Sequence, residues 1–480
     1  MSKYLIGVDS GTTATKVILF NRKGEIINSS CSSYPLSIRD ADVVEQDPDD
    51  WWNTLVKGVN YVSKGVKNKE RIKALSISTQ GATLIPLGKN KKPLSSAITW
   101  LDKRAKKESD ELITQFSQEY FFKRTGHKIE DWSPLAKILK WKKEPKFYKR
   151  IFRITQVNDY LIYRLTGKWI SDPSNGAMSL MFNLKKNNWD SELLDAVGID
   201  KDILSPIKPS GTSIGNLSSS VQKKLGLSKD TLVINGGHDQ YCAALGAGVI
   251  HQGDCLLSCG TAWVVVCPIN KDFFDPLMRI SMGVCVTANR YGLMAAISNG
   301  NIVFDRIRSI IGIKDKMLQD SKVEEEINKR IKKNNLIFLP HFSERSGAFI
   351  GLNLSTDKYD LLLAMMQALA FETKSIMEIL KNLSINPQKI IMIGGAAKSN
   401  IWPKIAANIL RRDVTILKSP EAACRGAAML AGLGSGIFKN SQEACKNMVK
   451  KEKVIKPELK DNYREVFIKY KALSEIIKKV

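Results

Sequence analysis

No apolar run in the 480 residues reaches the roughly 18 to 20 positions that a bilayer-spanning helix needs, so a membrane-spanning role is not expected. The opening MSKYLIGVDSG carries too short an apolar stretch for a signal peptide and lacks a cleavage-like site. The eight cysteines (Cys31, Cys242, Cys255, Cys259, Cys267, Cys285, Cys424 and Cys445) form no CxxC pair. In a chain of this length that pattern speaks for reduced, mostly buried thiols and a cytoplasmic protein. There is no GxxxxGK[ST] loop and no GxGxxG turn, which leaves the P-loop and dinucleotide-binding modes without support. Acidic residues are also few against basic ones, 48 against 73, for a net charge of +25. Such a charge raises the question of a polyanionic partner. The Lys/Arg clusters (KKEPKFYKR, KRIKKNN, KNMVKKEKVIK) are dispersed, without aromatic interleaving or zinc-finger spacing. A solvated lysine-rich surface is the expectation, with no nucleic-acid partner, and its field would still attract an anionic nucleotide.

What is present is a globular composition, 43% hydrophobic and 25% charged, in a chain long enough for two domains. Two segments share one plan. YLIGVDSGTTATKVILFNRKGEII (4–27) reads as strand, small polar turn, strand, turn and strand; DCLLSCGTAWVVVCPIN (254–270) reads as strand, turn and strand. Each tip has Gly followed by Thr, at Gly11-Thr12-Thr13 and Gly260-Thr261. Their repetition some 250 residues apart points to two related domains. Between and after them strands alternate with helices: a strand, turn and strand over 72–87, a Gly-ended helix over 157–168, and a long helix over 361–383. A buried strand then passes through glycines into a helix over 389–410, and a small-residue helix follows over 421–436. The expected division is 1–247, 248–440, and a basic helical tail over 441–480.

Four places carry groups suited to chemistry. At Asp9-Ser10-Gly11-Thr12-Thr13 with Lys16, glycine would let amides approach a phosphate and hydroxyls and Lys add donors. An acid at the strand end suits hydrated Mg²⁺. In Gly394 to Asn400 (GGAAKSN), small residues after a buried strand allow a flat ring to lie on backbone. Trp100, Asp102 and Arg104 offer an aromatic face and charged groups for a sugar's hydroxyls. In GGHDQ, the Asp239 carboxylate ends a strand on a Gly-Gly turn, where it could take a proton from an attacking hydroxyl; His238 is the competing base. Each taken alone has a plain structural alternative: a hairpin turn, close helix–strand packing, a buried Trp with an ion pair, or an Asp helix cap.

Together the pieces resemble the FGGY carbohydrate kinases, the family of xylulokinase, glycerol kinase and gluconate kinase. The resemblance runs in register over nearly the whole chain: IGVDSGTTATKVILF, VVEQDPDDWW, AITWLDKRA, DYLIYRLTGK, GGHDQYCAALGAG, SCGTAWVV, FLPHFSERS and IGGAAKSNIW. It implies an α/β fold of two actin-like (ribonuclease H-like) ATPase domains around a central cleft, taking ATP, Mg²⁺ and a sugar. By the motifs, Asp239 matches the catalytic base and Asp9 the acid that holds Mg²⁺, with Asp239 beside it as the other metal candidate. Gly11, Thr12, Thr13 and Lys16 match the first phosphate loop, Gly260 and Thr261 the second, and Gly395, Ala396 and Asn400 the adenosine site. Ser78, Gln80, Trp100, Asp102, Asp239 and Gln240 fall where sugar contacts lie. A homodimer is compatible with the resemblance. The departures concern the sugar. The xylulokinase turn has Gln-Met-His-Gly where this chain has Gln80 directly before Gly81, position 238 is commonly Gly rather than His, and the segment at 338–352 is short. The Arg-Glu pair of glycerol kinase is absent. The expected activity is phosphorylation of a terminal hydroxyl of a small sugar, a ketopentose such as xylulose. The alternatives are another sugar, polyol or sugar acid, or a non-catalytic ATP- and sugar-binding protein.

Overall fold

The computed structural model describes residues 3–40, 42–260, 262–297, 300–314, 320–331, 335–341, 347–458 and 463–477. The chain forms two compact units, and neither is continuous in sequence. The first comprises 1–250, 269–293 and 421–449; the second comprises 251–268, 294–420 and 450–480. The segment expected as a tail is helix, strand and helix (Ser441–Met448, Lys451–Ile455 and Tyr463–Ile477), and its strand pairs with Val414–Leu417.

In the first unit the hairpin of Tyr4–Ser10 and Ala14–Asn21 is extended by the antiparallel strand Ile26–Ser33. On its other side Tyr4–Ser10 runs parallel to Ile72–Thr79, which runs parallel to Leu232–His238. The apolar stretches of these strands are buried almost without exception (Leu5, Ile6, Val8, Val17, Leu19, Leu75, Ile77 and Val233), as expected of strands covered on both faces. One cover is the helix Pro48–Ser63. Asp47 caps it by accepting from the Asp49 amide, Pro48 presets its first turn, and Trp51, Leu55, Val59 and Val62 form the stripe laid on the sheet.

The other cover sets the site. Helix Ala422–Gly434 packs on Tyr4–Ser10 and beside helix Asp239–Ala247 at backbone contact. A Cβ on Gly246 would lie 1.9 Å from the Ala422 carbonyl oxygen, and one on Gly426 would lie 1.9 Å from that of Cys242. A Cβ on Gly7 would lie equally close, 1.9 Å, to the Cys424 oxygen. The buried Arg425 adds a 2.6 Å hydrogen bond from Nε to the Gly246 carbonyl. Strand Leu232–His238 bulges between Ile234 and Gly237, so that Gly237 and His238 pair with Ser78 and Thr79. That shift brings Asp239 to the end of the sheet beside Asp9.

The second unit repeats the plan. The hairpin of Asp254–Cys259 and Trp263–Ile269 lies parallel to Lys389–Gly394, which lies parallel to Val414–Leu417, with antiparallel Lys451–Ile455 outermost. None of the eight cysteines forms a disulfide; Cys31 is exposed, Cys445 is half-buried and the other six are buried. Among the described residues no helix is long and apolar enough to cross a membrane.

Gly426→Ala should destabilise the first unit by at least 1–3 kcal/mol, the usual range for overpacking, because backbone cannot swing aside as a side chain can. Gly65→Ala, where an added Cβ meets nothing within 4 Å, should stay within about 0.5 kcal/mol. Urea unfolding of both variants checks the contrast; equal stabilities would refute it.

Candidate active site

Asp9 stands second from the end of its strand, opposite Ser78 on the parallel neighbour and Lys16 on the antiparallel one. Side chains at paired positions share a face, and the Ser78 hydroxyl donates to Asp9 Oδ1 at 2.9 Å. Burial pushes the Asp9 carboxyl up to about 7, the Asp239 charge adds to the rise, and Ser78 and Lys16 oppose it. Lys16, expected to face a phosphate, gives its ammonium to Glu421 Oε2 at 2.5 Å. Burial disfavours the Lys16 charge, and the hydrogen bond and charge of Glu421, with the smaller effects of Cys424 and Asp9, together more than offset it.

The tip that follows is tied to the 78–81 turn and to Trp100. Gly11 closes the hairpin by donating its amide to the Ala14 carbonyl at 3.1 Å. Thr12 Oγ1 donates to Gln80 Oε1 at 3.1 Å and accepts the Trp100 indole N–H at 3.0 Å. Gln46, which the sequence reading passed over, donates to the Thr12 carbonyl at 2.5 Å and accepts from Gln80 Nε2 at 2.8 Å. Thr13 is exposed at the tip. Trp100 keeps 37% of its surface exposed, so an aromatic face lies beside Thr12 and Gln80. Asp102 is fully buried, and its carboxylate is taken up by the Val44 amide and the Arg104 side chain. It therefore holds the 99–104 segment in place, and the exposed aromatic there is Trp100. Ala82, just past the turn, is held at φ +55°, a left-handed conformation that costs a non-glycine residue about 1 kcal/mol. The Gln156 side chain pins it, accepting from the Ala82 amide at 3.2 Å and donating to the Asn175 carbonyl at 2.9 Å.

Asp239 opens helix Asp239–Ala247. Burial pushes its carboxyl up to about 6, while the Gln240 amide and side chain pull it down. A carboxylate in this range is a better proton acceptor near neutrality than an ordinary Asp. Its side chain is 29% exposed, so it remains reachable. His238 is buried, its ring pushed down to about 4 by desolvation, with Nε2 3.3 Å from Asp239 Oδ1. It is uncharged at neutral pH. Gln240 Oε1 and His238 Nδ1 are buried without a hydrogen-bond partner among the described residues.

In the second unit, Gly260 is exposed at the hairpin tip, and Thr261 lies outside the described residues. Gly394 is at φ +91° with its Cα face 2.4 Å, by an added Cβ, from the Cys259 carbonyl oxygen, so only glycine fits. The Gly395 amide donates to that same oxygen at 3.1 Å, which fastens the GGAAKSN turn to the hairpin. Asn301, which no sequence signal marked, ties together the two strands of that hairpin, donating to the Cys259 carbonyl at 3.3 Å and accepting from Trp263 Nε1 at 2.9 Å. Ala396 is buried; Asn400 is exposed and helps line a pocket of about 250 Å³ with Ile393, Ala397, Lys398 and Lys418.

Among the described residues no three His, Cys, Asp or Glu side chains gather as a metal cluster. The Asp239 charge raises the Asp9 carboxyl, and Asp9 keeps one oxygen outside its Ser78 hydrogen bond. Two such acids fit a hydrated Mg²⁺, which takes one or two carboxylates and completes its shell with water and phosphate.

Residues 4–246 match the N-terminal domain of the FGGY family of carbohydrate kinases, and residues 257–435 match its C-terminal domain. The xylulose kinase of Staphylococcus xylosus is 27% identical over 98% of this chain and 99% of its own. The crystal structure of gluconate kinase from Lactobacillus acidophilus superimposes with a TM-score of 0.92 at 27% identity, over 100% of this chain and 99% of that one. That of ligand-bound xylulose kinase from the same organism gives 0.91 at 26% identity, over 99% and 98%.

Both acids hold their protons more tightly folded than at the ordinary 3.8. Their favourable contribution to folding is therefore present at low pH and lost as pH rises through about 6 to 7. Asp9→Asn should raise stability at pH 8 by on the order of 2 kcal/mol, with more than half of that advantage gone by pH 5 and the rest lost as pH falls toward 3.8. Thermal unfolding across this range checks it; a variant less stable than wild type at pH 8 would refute it.

Proposed function

We infer, from the premise that the chain belongs to the FGGY family of carbohydrate kinases and is thus a sugar phosphotransferase, that it moves the γ-phosphoryl group of ATP to a terminal hydroxyl of a small uncharged sugar. The observation that carries this reading is the pair of desolvated acids, Asp9 and Asp239, at the ends of the two strands that flank Ile72–Thr79, beside a hydroxyl-rich tip. Asp239 takes the proton of the acceptor hydroxyl as its oxygen bonds to the γ-phosphorus. The bond from that phosphorus to the β–γ bridging oxygen breaks and ADP leaves. The Gly11–Thr13 tip supplies amide and hydroxyl donors to phosphate oxygens, as does the tip at Gly260 in the second unit. Bound Mg²⁺, held by Asp9 and Asp239, would neutralise charge on the phosphates. Lys16 acts through Glu421, keeping a positive charge near Asp9.

Trp100 and Gln80 give the acceptor an aromatic face and an amide on the 1–247 side. Gly395 and Ala396, small residues just past strand Lys389–Gly394, give adenosine a flat seat, with Asn400 further along the same turn. A ketopentose such as xylulose is the favoured acceptor. His238, uncharged at neutral pH, offers no cation to a sugar acid at Asp239. The likeness to a gluconate kinase keeps aldonates as the second reading.

Asp239→Asn should lower sugar-dependent ADP release by 10²-fold or more and leave ATP affinity within about threefold. A coupled assay over pentuloses, aldonates and polyols measures both this and the acceptor. Turnover that survives the substitution would remove Asp239 as the base.

A further inference from the structure

His238 has a use that the reaction as described leaves open. Its ring is 5% exposed and sits directly on the turn that carries Gln80. A Cβ on Gly81 would lie 2.5 Å from His238 Cδ2 and 2.9 Å from Nε2, so the imidazole rests against the glycine backbone. The same ring approaches the Asp239 carboxylate at 3.3 Å and stands 5.7 Å from the Tyr241 ring. Its backbone is anchored too, the His238 amide donating to Ser174 Oγ at 2.8 Å. One side chain thus spans from the base to the acceptor turn within the first unit.

Plain filling of space does not account for it. An aliphatic side chain would occupy the volume without enclosing Nδ1, a nitrogen with no hydrogen-bond partner among the described residues. Leaving a polar atom so enclosed costs about 1–3 kcal/mol. A second imidazole, His127, is enclosed with its Nε2 unpartnered, and a charge on His238 would oppose one on His127. Such local expense clusters where function requires it. Gly81 itself is not at a positive φ, so its lack of a side chain is explained by the ring and not by backbone conformation.

We propose that His238 is a specificity-determining residue: wedged from the Gly81 backbone to the Asp239 carboxylate, it sets the distance between base and acceptor turn and so limits the length of the sugar accepted. This rests on the reading of the site as a sugar kinase. Removing the imidazole opens room beside the base, which admits a longer chain and loosens the hold on the native one. Adding a methyl at Gly81 drives the ring toward Asp239. Once the ring is gone, the nearest atom to that methyl is Met178 Cγ at 3.2 Å, the end of a flexible side chain.

The test is steady-state kinetics on wild type, His238→Gly, His238→Asn, Gly81→Ala and the Gly81→Ala/His238→Gly double variant. The acceptors are ketoses, polyols and aldonates of four to seven carbons, with far-UV circular dichroism to establish folding. His238→Gly should raise KM for the best wild-type acceptor tenfold or more and move the preferred length up by at least one carbon, with KM for ATP within twofold. His238→Asn, smaller but polar, should show the same shift in lesser degree and covers the case in which the glycine variant does not fold. Gly81→Ala should cost tenfold in kcat/KM alone and under twofold in the His238→Gly background. An unchanged acceptor ranking in a folded variant, or an equal effect of Gly81→Ala in both backgrounds, overturns the role of His238 and leaves the kinase reading standing. A wild type whose ADP release is indifferent to every acceptor overturns the kinase reading and this inference together.

Discussion

The first unit hangs on a contact between backbones. Helix Ala422–Gly434 touches helix Asp239–Ala247 and strand Tyr4–Ser10 so closely that positions 7, 246 and 426 have no room for a Cβ. Close packing of this kind has little freedom to relax, because carbonyl groups cannot change rotamer. Both acids inherit their positions from it. Asp9 lies two residues past Gly7, Asp239 heads the helix that carries Gly246, and Glu421, which holds Lys16, immediately precedes the helix that carries Gly426. The Asp239 carboxylate, near the middle of the chain, is thus placed by a segment some 180 residues further on, returned to the first unit after most of the second has been traversed.

The two units answer the same topological problem with the same solution: a hairpin, then two parallel strands on one side. They differ at the residue that matters for charge. The first hairpin ends in Asp9-Ser10-Gly11 and the second in Ser258-Cys259-Gly260. A carboxylate is present in one copy and a hydroxyl in the other.

Most elements were legible because they are local. Alternation and buried apolar runs marked the hairpins, the helix at 157–168 ends at Gly167, and the helix at 361–383 is the observed Lys358–Asn382. What was not legible is pairing at a distance. Nothing near Lys16 announces Glu421, and nothing near Ser78 announces Asp9. Asp102 reads as a ligand group until Val44 and Arg104 are seen to take its oxygens. Gln46 was visible only as part of a pattern, since its amide acquires meaning from Thr12 and Gln80. The strand at 451–455 was hidden by its charge: as an edge strand it exposes one side, so lysines replace the apolar residues by which a central strand is recognised.

One hydroxyl deserves a last consequence. Thr12 Oγ1 spends its single hydrogen on Gln80 while accepting from Trp100. A hydrogen cannot be given twice. Any anion that claims it at the hairpin tip takes it from the amide of the neighbouring turn, and any occupant that tightens Gln80 on Thr12 withholds it from the anion. Thermodynamic reciprocity makes the two effects equal in size. Two ligands that never touch would then trade affinity through one proton of a threonine.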